Sequence, residues 1–438
     1  MRSRTDVSWP TWSNWAGNQT ARPLAVHRPE TEEQIVAVVK DAAARGTRVK
    51  VVGSGHSFTD IACTDGHLVD LSGYGRVLAI DPNGLTVTVQ AGMRLEHLNR
   101  ALDPRGLAMP NLGDIAYQTV AGATSTATHG TGARLPGLAA QIVAMRLILA
   151  DGSALDCSTV EEPEVFHAAR VGLGALGVVS TVTLQVVPAF NLHVVEEPLP
   201  LGEVLADLDA RVDGNDHFEL FWVPHTDLAL TKANNRTTEP IDRRGRAKEW
   251  VDDRLMENYA FGALCRLGRR RPGWIPHLAR ALAASGRASY VDESYRVFAS
   301  PRLVRFYEME YAVPRAAGAE ALQRVRRFIE DSGLLVSFPV EFRFTAPDDI
   351  PLSTASGRES CYIAVHVFEG MEHRPYFEGV ERIMHDYEGR PHWGKLHFQD
   401  WSTLSRRYPE WDRFVAVRDR LDPDRRFTNA YLDRVLGP

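Results

Sequence analysis

The stretch Val52-Gly-Ser-Gly-His-Ser-Phe58 sets two glycines and two serines around one titratable histidine, His56. Gly53 and Gly55 let backbone N–H groups converge, and Ser54 and Ser57 add hydroxyls, as in an anion nest. A second run, Thr119 to Gly132 (TVAGATSTATHGTG), is too small and polar for a core helix. It suits close approach of backbone to a diphosphate and a sugar. A third, Gly172 to Gly177, spells GxGxxG, but helix-like text precedes it and strand-like text follows. That order is the reverse of a dinucleotide fingerprint. Two phosphate-suited loops in one α/β region point to a large phosphorylated cofactor.

Glu341 and Arg343 stand two apart in PVEFRFTAP. On a strand they share one face, and Val340, Phe342 and Phe344 take the other. Such a pair can anchor a polyhydroxylated molecule; the competing reading is a solvent-facing, salt-laced edge. Lys395, in GRPHWGKLHF, is one of five lysines among 50 basic residues and lies in an aromatic stretch. His392 and His397 have no third ligand nearby in sequence, so no metal site is expected.

The elements that must position these groups are legible in outline. Thr31 and Gln34 have capping-box spacing, and Ile35, Val38, Val39 and Ala42 form the helical stripe that Gly46 ends. RVKVVGSG is a strand running into the first loop. Hairpins are expected at Asp81-Pro-Asn-Gly84 and at Asp151-Gly152. Beyond Pro188 the text is α+β, with strands at RLVRFYEMEYAVP, LLVSFPVEFRFTAP and SCYIAVHVFEG alternating with helices.

VGSGHSF together with GATSTATHGTG resembles the flavin domain of the vanillyl-alcohol-oxidase-like FAD flavoproteins, in the sugar-lactone and alditol oxidase branch. The likeness continues through RFYEMEYAVP, EFRF, GRPHWGKLHF and LDPDRRFTNAYLDRVLG. It implies an α+β protein with a two-lobed FAD-binding domain over 1–187 and an α+β substrate domain over 188–400, the latter carrying a helical insert near 245–285. A C-terminal helical segment, 401–438, would pack back on the FAD domain. The cofactor implied is FAD, bonded covalently through His56. Its contacts would be Gly53, Ser54, Gly55, Ser57, Gly113, Gly122, Ser125, Thr128, His129, Gly130, Gly177, Val179 and Asn429.

Glu341, Arg343 and Lys395 match the family's substrate-binding and catalytic residues. Arg343 is expected to lower the Glu341 pKa and make it a mediocre base. The reaction implied is oxidation of a sugar 1,4-lactone at its C2 hydroxyl, with dioxygen as electron acceptor. An alditol oxidase, or a lactone dehydrogenase using another acceptor, is the alternative. Gly113 aligns with a position that controls oxygen access in relatives, and glycine there leaves an opening.

The totals fit a small-molecule enzyme. A net charge of -6 argues against a nucleic-acid partner, and Arg269 to Arg271 reads as a solvated loop. Four scattered cysteines without metal-ligand spacing suggest a reducing compartment, hence the cytoplasm. The N-terminus has Arg2 and Arg4 but no apolar run, so neither a signal peptide nor a membrane span is expected. The oligomeric state is not legible.

Overall fold

The computed structural model describes residues 10–243, 260–282, 287–299 and 303–437. The N-terminal stretch with Arg2 and Arg4, and positions 244–259 and 283–286 of the expected insert, lie outside the described residues.

Thr31, in extended conformation, accepts from the Gln34 amide and starts the helix Glu32–Arg45; Gly46, at φ 66°, stops it. That helix buries Ile35, Val39 and Ala42. The next strand, Val49–Val52, pairs in parallel with His67–Asp70, which pairs in parallel with Ala25–His27. This small sheet is the first lobe of the expected FAD-binding domain, and its edge strand Val49–Val52 runs straight into the His56 loop. The second lobe is a five-stranded sheet in the order Ala154–Ser158, Ile142–Ile148, Val178–Gln185, Thr86–Gln90 and Val77–Asp81. Both expected hairpins are present in it.

The substrate domain is built on an eight-stranded antiparallel sheet. Its central strands run His217–Trp222, Val340–Thr345, Ser360–Phe368 and Phe306–Pro314. Period-two alternation gives the sheet two unlike faces. Leu220, Phe342, Ile363, Val365, Met309 and Tyr311 share a core with the helices Gly318–Ser332 and Arg374–His385. The intervening residues, Glu219, Glu341, Arg343, His366, Glu308 and Glu310, belong to the opposite face. The described part of the insert is helical, Phe261–Arg270 and Ile275–Leu282. Among the described residues no helix is long and apolar enough to cross a membrane, and all four cysteines are free.

The C-terminal segment belongs to the core of the second FAD lobe. Leu404, Tyr408, Trp411, Phe414, Tyr431 and Val435 pack in one cluster with Val87, Leu98 and Leu147. Asn429 fastens it. Its side-chain Oδ1 accepts from Leu432 N and caps the last helix, and its side-chain Nδ2 donates to the backbone oxygens of Asp60, Ile61 and Cys63 at 2.8–3.0 Å. Replacing Asn429 by Ala removes a cap and leaves buried acceptors without a donor. We expect a loss of roughly 2–4 kcal/mol in urea unfolding. A change below about 0.5 kcal/mol, the range of an ordinary surface substitution, would show that the clasp contributes nothing.

Candidate active site

The two glycine loops face each other across an elongated cleft of about 910 Å³ of empty space, including its open mouth. Gly53, Ser54, Gly55, His56 and Ser57 line one side; Thr119, Gly122, Ser125, Gly177 and Val179 line the other. A Cβ on Gly53 would lie 2.2 Å from the Thr119 hydroxyl, so only glycine lets the loops come this close. Gly55 sits at φ +66°, in the left-handed region. The backbone stays bare where the cleft narrows, which fits an extended diphosphate cofactor such as FAD.

His56 lines this cleft and its ring stacks on Trp15 at 5.0 Å. Burial, with nearby Arg94, pushes the imidazole down to about 4. The ring is therefore neutral at physiological pH and keeps a nucleophilic nitrogen. Ser54 gives its hydroxyl to the Tyr117 carbonyl at 2.5 Å.

Five residues proposed from sequence as cofactor contacts do not line the cleft: Gly113, Thr128, His129, Gly130 and Asn429. Asn429 uses its side chain as the clasp described above. Thr128 receives the Gln118 side-chain amide at 3.3 Å. Gly130 is pressed against the Leu112 carbonyl, where a Cβ would come within 2.2 Å. His129 is turned toward the substrate sheet, with Nε2 2.5 Å from Glu310 Oε1.

On the sheet's polar face the expected pair is present within a larger cluster. Arg343 contacts Glu341 through Nη2, Glu219 through Nε at 2.7 Å and Asp114 through Nη1 at 3.6 Å. Lys395 contacts Glu310 and lies 2.6 Å from Glu308, whose other neighbour, His366, is 3.3 Å away. The strand carrying Glu341 is interior to the sheet and buried along its length, so the solvent-edge reading fails. Glu308, Glu341 and His366 each bring one potential ligand atom within 4.8 Å of the others, but the Lys395 ammonium already supplies a cation there.

Burial decides the electrostatics. The Glu341 carboxyl is pushed up to about 7, chiefly by desolvation and further by Asp114 and Glu219. This corrects the expectation of a lowered pKa: Arg343 does pull the carboxyl down, but burial and the two neighbouring carboxylates outweigh it. Burial alone would depress Lys395, but Glu308 and Glu310 more than offset it and keep the ammonium charged. Desolvation and the nearby Lys395 push His392 down to about 3, so it is neutral and accepts from the Gly394 amide.

Backbone hydrogen bonds join cleft and cluster. Phe58 N donates to Gly394 O at 2.7 Å and Gly132 N to Phe344 O at 2.8 Å. Thus the His56 loop is tied to the Lys395 segment, and the Thr119–Gly132 loop to the Arg343 strand. Sequence reasoning missed Asp114, Glu219, Glu308, Glu310 and His366. The signal for two of them was in plain view: in FYEMEY, Glu308 and Glu310 alternate with apolar residues as Glu341 and Arg343 do.

Comparison with known proteins agrees over the full length. Residues 182–435 match the D-arabinono-1,4-lactone oxidase family, and residues 23–158 match the FAD-binding domain family. The chain is 52% identical over 431 residues to the L-gulono-1,4-lactone dehydrogenase of Mycobacterium tuberculosis, covering 98% of this chain and 100% of that protein. It is 36% identical over 433 residues to the L-gulonolactone oxidase of Bos taurus, covering 97% and 98%. The crystal structure of cholesterol oxidase from B. sterolicum has the same fold, with a TM-score of 0.82 at 18% identity over 98% of this chain and 97% of that one.

The close approach at Gly53 gives a direct test of the cleft. Gly53→Ala drives a methyl group into Thr119, so the purified variant should keep its far-UV circular dichroism but lose most of its flavin absorbance per protein. Wild-type flavin occupancy in the folded variant would remove Gly53 from the cofactor cradle.

Proposed function

The chain belongs to the D-arabinono-1,4-lactone oxidase family of FAD-linked oxidoreductases, and on that footing we propose that it oxidises a sugar 1,4-lactone at the C2 hydroxyl, passing the electrons to an acceptor other than dioxygen. FAD, held in the cleft by the Gly53–Ser57 and Thr119–Ser125 loops, would supply the oxidant as a hydride acceptor. The observation that carries the reading is the buried Glu341–Arg343–Lys395 cluster, tied by backbone hydrogen bonds to both cofactor loops.

Each side chain has a distinct task in this proposal. Arg343, fixed by Glu219 and Asp114, offers a permanent charge to the oxygen that becomes the carbonyl. Lys395 adds a second charge to the same region. Glu341, with a pKa of about 7, is the proton acceptor for the substrate hydroxyl. His56 would provide the neutral nitrogen through which the flavin is held. A cytoplasmic setting suits the four free cysteines.

One observation favours a non-oxygen acceptor. The relative at 52% identity is named a dehydrogenase, whereas the bovine oxidase stands at 36%. The oxygen opening expected at Gly113 adds no independent support for an oxidase, because close packing also accounts for the glycine. A Cβ there would lie 3.2 Å from His129 O and 3.3 Å from the Thr128 methyl, tighter than ordinary contact.

The test is a panel of aldonolactones and alditols assayed with oxygen and with an artificial acceptor, after acid denaturation has shown whether flavin stays attached. We expect lactone-dependent turnover with the artificial acceptor, slow peroxide formation, and a flavin-bearing peptide containing His56. Fast peroxide formation would restore the oxidase reading, and activity confined to alditols would overturn the substrate class.

A second prediction follows from the Glu341 proton. Its carboxylate form fills as pH rises through about 7, so the anaerobic rate of flavin reduction should climb across that range and level off above it. Glu341→Gln should lower the rate by roughly a hundredfold or more and abolish the climb. A wild-type rate that is flat from pH 5 to 9 would exclude Glu341 as the acceptor.

A further inference from the structure

His129 stands on a cofactor loop, yet its ring faces the substrate sheet. Nδ1 lies 2.9 Å from the Gly130 carbonyl and Nε2 2.5 Å from Glu310 Oε1. A carbonyl oxygen can only accept, so Nδ1 carries a proton and donates it. A neutral imidazole of that tautomer would present a bare lone pair at Nε2 to the Glu310 carboxylate. The short contact therefore requires one more proton, held between Nε2 and Oε1. Both side chains are 3% exposed, so water does not take its place. Tyr362 stacks on the imidazole at 3.6 Å and fixes its plane.

The other Glu310 oxygen contacts the Lys395 ammonium. The backbone around Lys395 is held by the same strand, because His392 N donates to Glu310 O at 3.0 Å and Leu396 N to Glu308 O at 2.8 Å. The charged and titratable groups around Lys395 are Glu308 and Glu310 from one strand, His366 from the next, Glu341 and Arg343 from the third, and His392 from its own segment. Of these, Glu310 is the one linked back to the cofactor loop.

We propose that His129 and Glu310 are positioning residues: a proton-sharing pair that bridges the cofactor loop and the substrate sheet and holds the Lys395 ammonium toward the reacting hydroxyl. This rests on the reading that the polar face of the sheet binds the lactone. Neither residue needs to touch substrate, because each acts through Lys395.

The experiment uses the flavin-loaded enzyme with the most active lactone of the panel. Glu310→Gln keeps the shape and removes the charge. Flavin content should be unchanged and anaerobic flavin reduction slower by roughly tenfold to a hundredfold. Losing one of its two carboxylates should also weaken the hold on the Lys395 proton, so an alkaline fall in rate should set in at lower pH in Glu310→Gln than in the wild type. His129→Gln leaves the Glu310 charge, so it should slow reduction without that downward move. A merely structural role would lower the rate equally at every pH in both variants. Independently of turnover, nitrogen-15 histidine NMR at pH 7 should show one strongly downfield shared ring proton, lost in both variants.

An unchanged rate and pH profile in Glu310→Gln, or no shared proton in the wild type, would overturn the inference. Failure of every lactone to reduce the wild-type flavin would instead overturn the substrate reading, and the shared-proton signal would still judge the pair.

Discussion

One guanidinium divided among three carboxylates sets the chemistry of this site. Arg343 meets Glu341, Glu219 and Asp114, so none receives the full compensation a private ion pair would give. Burial outweighs the relief that Glu341 receives from Arg343 and, less strongly, from Lys395, so its carboxyl rises to about 7 while Arg343 stays charged. A buried ionic cluster of this kind is weak evidence for stability, since an apolar replacement of equal volume is often as good. Its chemical effect is definite: it places a fixed charge and a titratable carboxyl at successive positions on one face of a rigid strand.

Rigidity comes from the far side of the same sheet. Phe342 and Phe344, neighbours in sequence to the charged pair, are sealed into the substrate-domain core under two helices. A slip of one residue in that strand would exchange the two faces, burying Glu341 and Arg343 in hydrocarbon. Core packing therefore sets the register that aims the charges. The cofactor loops inherit this precision through short backbone bonds, Gly132 to Phe344 and Phe58 to Gly394. The asparagine clasp at Asn429 in turn holds the segment just after the His56 loop.

This division explains what could be read in advance. Glycine turns, the capped first helix and both hairpins are written locally, as was the period-two pairing of Glu341 with Arg343. The partners that set the charge state are not local. Glu219 and Arg343 are separated by 124 positions, and His129 and Glu310 by 181. For Glu341 the local inference gave the wrong sign, because an arginine two residues away was visible and the competing carboxylates and burial were not. The Glu310 contact of His129 was hidden for a related reason. Its loop lines the cleft, but a single side chain on that loop can point through to the neighbouring sheet.

The charge balance also bears on the form of sugar this face accepts. Asp114, Glu219, Glu308, Glu310 and Glu341 confront two permanent cations, Arg343 and Lys395, both already in contact with carboxylates. An open-chain sugar acid would bring one more carboxylate into a site that lacks a spare cation, with a desolvation cost of several kcal/mol, typical for a buried ion. A ring-closed lactone carries the same hydroxyls without that charge, and its carbonyl only accepts hydrogen bonds. Arg343 and Lys395 can donate to it without leaving their carboxylates, since each has several N–H groups. On the proposed reading, a surplus of buried acids would favour a neutral polyhydroxylated ring over its hydrolysis product, with the two cations orienting the ring by its oxygens.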